Sequence, residues 1–162
     1  FIPEMKGIIG THLIGEAPFE EDAQRATDLI VLKLDAIRVA CRIRSSAYLR
    51  RYGGEFTLRS SRPNGVETEL SKILAGWGDY LLYGFAAEAG PSLAAWLLGD
   101  LHEFRRWHNR ALYRMARGEA PGIHKQNADR TCLRAYRVAE LPSGFVVARK
   151  TTSENGVRPT PC

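Results

Sequence analysis

The apolar and polar positions divide the chain into short segments of different period. Residues 28–44, DLIVLKLDAIRVACRIR, are rich in Ile, Val and Leu, and the run breaks near Leu34 to Ala36. Two strands joined by a tight turn, a β-hairpin, are predicted there. In its second arm Ile37, Val39, Cys41 and Ile43 alternate with Arg38, Ala40, Arg42 and Arg44, a period of two that places the arginines on one face. Another strand is expected at Glu55 to Ser60, with Phe56 and Leu58 on one side and Thr57 and Arg59 on the other. Glu67 to Ala75 reads as a short helix closed by Gly76, burying Leu70, Ile73 and Leu74, and WGDYLLYGF as a further strand.

The flanks are less regular. Pro3, Gly7, Gly10, Gly15 and Pro18 interrupt residues 1–18, which are expected to form an irregular arm. FEEDAQRAT, 19–27, reads as a short helix with Glu20, Glu21 and Asp22 at its start. Pro91 suits a first helical turn, and a helical pattern runs from there to Arg117 with a bend near Gly99, where Asp100 is placed to cap a second segment. Leu101, Phe104, His108, Ala111 and Met115 share one face; Arg106, Arg110, Arg114 and Arg117 share another, read as the solvated side. A last hairpin, CLRAYRVAEL and FVVARK about LPSG, precedes a turn-rich tail at 151–162. The pattern as a whole predicts one α+β domain over 1–150, with a central mixed sheet of about four strands flanked by helices and a C-terminal helix and hairpin.

Composition narrows the function classes. With 162 residues and 44% apolar content the chain can bury one continuous core. No apolar run approaches the roughly 20 residues of a membrane span, so a soluble protein without a membrane partner is expected. Cys41, Cys132 and Cys162 are odd in number and lack CxxC spacing, which fits a reducing cytoplasm rather than a disulfide framework. His12, His102, His108 and His124 lack metal-ligand spacing, and no metal is assigned to them. The opening FIPEMKG has neither an initiator Met nor a signal-peptide layout, and Phe1 is read as a processing boundary. Lys and Arg number 23 against 18 Asp and Glu, a net charge of +5 compatible with a phosphate backbone or an acidic protein as partner.

The pairing of TDLIV at 27–31 with IRVACRIRSS at 37–46, within an order of helix, three strands, helix and strand over residues 16–86, resembles the core of the restriction-endonuclease-like, PD-(D/E)XK, superfamily. The resemblance implies a metal-binding Asp at Asp28 and a Glu-x-Lys where this chain has Arg42-Ile43-Arg44. A guanidinium repels the cation that a glutamate would hold, so the site as written is not expected to bind Mg²⁺. A migrated site is the alternative, a Mg²⁺-dependent nuclease in which Asp28, Glu55 and Glu69 ligate the metal and Lys72 orients water. Otherwise Glu69 and Lys72 are an ordinary i,i+3 surface pair.

The same substitutions favour binding over catalysis. Arg38, Arg42 and Arg44 on one strand face, Arg59 on the next strand, and Arg50, Arg51 and Arg62 in loops could line a phosphate-binding surface, with Tyr48 and Tyr52 as stacking platforms. Pairing with the acids at 20–22 is the plainer use of those arginines. Trp77 and Trp107 are read as core or interface aromatics. The segment FTLRSSRPNGVETELSKILAGWGDYLLYGF is similar to a pattern in uncharacterised phage and prophage proteins. The leading expectation is therefore a non-catalytic, nucleic-acid-associated phage or mobile-element protein that binds DNA or RNA without a cofactor. A nuclease with a migrated site stands second. A module docking on a phage or host protein through residues 77–85 or 101–117 stands third.

Overall fold

The computed structural model describes residues 1–13, 15–16, 29–30 and 37–151. The elements, in chain order, are α1 (Ile2–Leu13), β1 (Gly15–Glu16), β2 (Leu29–Ile30), β3 (Val39–Arg44), α2 (Leu49–Tyr52), β4 (Glu55–Ser61), α3 (Glu69–Leu74), β5 (Tyr80–Ala86), β6 (Leu93–Asp100), α4 (Leu101–Arg114), β7 (Ile123–Gln126), β8 (Cys132–Arg137) and β9 (Val146–Lys150). The helix expected at 19–27 and the tail from 152 lie outside the described residues, as does Asp28.

The class is α+β, with a mixed four-stranded sheet ordered β3-β5-β6-β9. β3 runs parallel to β5, while β5 with β6 and β6 with β9 are antiparallel. A second sheet of three strands, β4-β8-β7, takes the strand predicted at 55–60 away from its sequence neighbours. Parallel neighbours need a crossover, and the one between β3 and β5 runs through α2, β4 and α3. That excursion brings β4 and α3 against the outer strand β3.

Alternation along β5 divides the core. Leu81, Tyr83 and Phe85 face the second sheet together with Phe56, Leu58, Phe104, Tyr136 and Phe145. Leu82 faces the other way, against Ile8, Leu93 and Leu98. Phe56 joins the layers: fully buried, it stacks on Tyr136 and on Phe145, each at 5.4 Å between centroids, and meets Phe104 edge-on.

Four expectations need correction. Residues 2–13 form a helix, not an irregular arm. Pro3 sits in the first turn, where its missing N–H is harmless, and the Glu4 carboxylate accepts from Leu93 N at 2.8 Å, fastening the helix to β6. In the predicted hairpin at 28–44 the described part of the first arm, Leu29–Ile30, pairs with Gly15–Glu16, whereas the second arm pairs with β5. Residues 93–100 are a strand rather than a helix. Their Ala and Leu content imitates a helix because β6 is buried on both faces and shows no alternation. Asp100 nevertheless caps α4 as expected, its Oδ1 accepting from His102 N at 2.7 Å. Finally, β8 and β9 belong to different sheets, because two 3₁₀ turns, Val138–Glu140 and Ser143–Phe145, carry the chain from one to the other.

Candidate functional site

β3 presents Arg42 toward α3, while Val39 and Ile43 pack on the α1 side of the sheet. Across a cleft of about 680 Å³ stand Arg59 on β4, Arg62 just beyond it, and Glu67, Glu69 and Lys72 on or before α3. Arg38, Trp77 and Gly78 close one end. Five cationic side chains thus share a cavity with two carboxylates.

Local hydrogen bonds hold these walls. Thr68 caps α3, accepting from Ser71 N at 3.3 Å while the Ser71 hydroxyl accepts from Thr68 N at 2.8 Å. The cap directs Glu69 to β3 and β4, where its Oε2 accepts from Arg42 Nη1 at 2.5 Å and from Arg59 N at 3.3 Å. Arg38 is placed by Asp79, whose Oδ2 accepts from Arg38 N at 2.7 Å and whose N donates to Arg38 O at 2.8 Å. Arg105 of α4 donates to the carbonyls of Ile73 at 3.3 Å and Gly78 at 3.0 Å, fixing the connection that carries Trp77. Glycines flank the tryptophan at φ +102° (Gly76) and +79° (Gly78), a left-handed backbone that other residues rarely adopt.

The charges are unevenly used. Arg42 is neutralised by Glu69, but among the described residues no ion pair engages Arg38, Arg59, Arg62 or Lys72. The Nε atoms of Arg59 and Arg62 are shielded from solvent and have no hydrogen-bond partner there. Arg59 acts at longer range on Asp129, whose carboxyl is held below its usual range first by Thr131 hydrogen bonds and then by this guanidinium. A guanidinium left short of acceptors in a concave, cationic setting is the environment that a phosphate group satisfies.

Of the arginines singled out in the sequence, the fold gathers Arg38, Arg42, Arg59 and Arg62. Arg44 lies apart, its guanidinium over the Tyr48 ring at 5.0 Å. Tyr52 is covered by Arg51 at 5.2 Å and by Lys125 at 4.5 Å, so it is engaged by the protein's own cations. Of the two readings of Trp77, core or interface aromatic, its exposure removes the first: the ring is 61% exposed at the cleft rim, with Arg38 5.9 Å from the ring centre. Trp107 does pack against the core. Arg106, Arg110 and Arg114 are exposed, as expected of a solvated face, but α4 ends at Arg114, so Arg117, also exposed, lies beyond the helix on which it was expected. Lys72 stands out in the sequence for a different role and Asp79 as a capping or ligating residue, whereas Arg105, 27 residues beyond Gly78, carries no sequence signal for its role.

Of the proposed nuclease set, Glu69 and Lys72 line the same cleft, Glu55 stands apart from them, and Asp28 lies outside the described residues. Glu69 sits beside Arg59, whereas Glu55, at the far end of β4 and about 13 Å away along the strand, holds Lys125 Nζ at 2.6 Å. Each carboxylate already has a cationic partner, and no cluster of three or more His, Cys, Asp or Glu gathers among the described residues.

A second cavity, of about 590 Å³, opens between Leu49, Glu55, Tyr83, Glu88 and Arg149. Its charge is more nearly balanced, and its Lys150 donates to Leu93 O at 3.2 Å. No protein-family model matches the chain, and neither the curated proteins nor the solved structures give a match.

Proposed function

We propose that this chain is a nucleic-acid-associated protein that grips the phosphate backbone in the cleft between β3, β4 and α3, without hydrolysing it. The observation that carries the reading is the cluster of Arg38, Arg59, Arg62 and Lys72, without ion-pair partners among the described residues, around one concave surface. Holding like charges together costs stability, and an anionic ligand recovers it. Arginine suits this task because its planar fork meets phosphate oxygens with two parallel hydrogen bonds.

The kinship to the restriction-endonuclease-like superfamily, and an origin in a phage or mobile element, belong to the same proposal. Arg42 and Arg44 would then mark a lineage in which a metal site has given way to a backbone-binding one. The separate ion pairs of Glu55 and Glu69 support binding over a migrated nuclease site. The test is fluorescence anisotropy of labelled DNA and RNA oligonucleotides with the purified chain. Retention at low salt that weakens steadily as salt rises supports the reading. Absence of binding to either nucleic acid at low salt removes it.

A further inference from the structure

The exposed tryptophan beside the cationic cleft carries information that the arginines do not. Phosphates alone require positive charge. A large aromatic ring left 61% exposed at the rim, between two glycines and beside Arg38, adds a flat apolar surface at the place where a backbone would enter. Its carbonyl neighbourhood is tied to α4 by Arg105, so the ring is carried on a braced connection rather than a loose loop. The cavity of about 680 Å³ is also of small-ligand size, within the roughly 300–1,000 Å³ typical of such clefts. That volume admits a nucleotide or two with their bases unpaired, whereas a duplex keeps its bases stacked inside and offers a ring on the rim nothing to stack against.

We infer that the cleft takes single-stranded nucleic acid, with one base stacked on Trp77 while its neighbouring phosphates lie against Arg59, Arg62 and Lys72. The inference rests on the nucleic-acid reading above and adds the strandedness of the ligand and the residue that selects it. Arg38 has a double role: it covers part of the Trp77 ring and contributes charge at the point where base and phosphate meet. Stacking is tolerant of sequence because every base has a flat face, so the expected preference is for strandedness, not for a particular base.

Three probes separate the contributions: a single-stranded oligonucleotide, the duplex of the same sequence, and inorganic polyphosphate, which has charge without bases. The single strand is expected to bind tightest and to quench tryptophan emission, while polyphosphate binds without that quenching. Trp77→Ala should weaken single-strand binding about 10-fold and abolish the quenching increment while weakening polyphosphate binding far less, with Trp77→Phe intermediate. Because Trp77 is on the surface, circular dichroism and the melting temperature of the variant should match those of the parent. Equal affinity for all three probes, or unchanged single-strand binding in Trp77→Ala, overturns the inference and leaves the phosphate grip standing. Failure of all three probes to bind overturns both.

Discussion

Arg42 and Glu69 meet at 2.5 Å on the wall of the cleft, and the same carboxylate oxygen also accepts from the backbone of Arg59. One glutamate thus fastens α3 to strands of two different sheets while placing a negative charge among the cations proposed to bind phosphate.

These two roles predict opposite effects of Glu69→Gln. Loss of a charge-assisted, half-buried contact should lower unfolding stability by about 1–2 kcal/mol. Removal of the negative charge should at the same time tighten oligonucleotide binding about fivefold at low salt. Chemical denaturation and anisotropy on the same preparation read the two terms separately. A variant that loses both stability and affinity would mean that Glu69 serves binding by holding Arg42 rather than opposing it by charge.

His108 gives a pH prediction. It is buried, both ring nitrogens lack partners among the described residues, and burial, followed by the nearby Arg134 guanidinium, lowers its pKa from 6.5. The unfolded chain therefore binds a proton on this residue more readily than the folded one. Stability is retained above the unfolded value and is lost as pH falls through it toward the depressed folded value. Denaturant midpoints measured between about pH 8 and about pH 5 should decline, and His108→Leu should reduce the decline. An equal decline in the variant would assign the effect to other groups.

Gly99→Ala tests the join between β6 and the core. A Cβ at that position would clash with Cζ of Phe145, a fully buried ring that is itself stacked on Phe56. Overpacking there should cost about 1–3 kcal/mol or more, read as a lowered melting temperature. Gly54→Ala is the matched control, since nothing stands within 4 Å of a Cβ there.

How much of this was legible in the sequence depended on how local the cause was. The strand at Val39 to Arg44, the buried pair Phe56 and Leu58, the stop at Gly76 and the cap at Asp100 each follow from neighbours in the chain, and the structure has each of them. β6 was not, because burial on both faces erases the period that distinguishes strand from helix. The division into two sheets was likewise hidden, since strand pairing is decided by partners far apart in sequence. The site divides in the same way. A period of two put Arg38 and Arg42 on one face, but only the excursion through β4 and α3 brings Arg59, Arg62 and Lys72 to meet them. For Trp77 the sequence leaves core and interface open, because large aromatics usually enter the core; its flanking glycines are the available sign of a turn that leaves it outside.

The most direct test of the phosphate grip is the salt dependence of single-stranded oligonucleotide binding by the parent, by the Arg59→Ala/Arg62→Ala double variant and by Arg44→Ala. With about four phosphates neutralised, the parent should lose about 50-fold in affinity between about 50 and 200 mM salt. The double variant should bind more weakly and show a slope smaller by about 1.4. Arg44→Ala, whose guanidinium lies over Tyr48 outside the cleft, should keep the parental slope. A double variant with the parental affinity and slope would contradict the account.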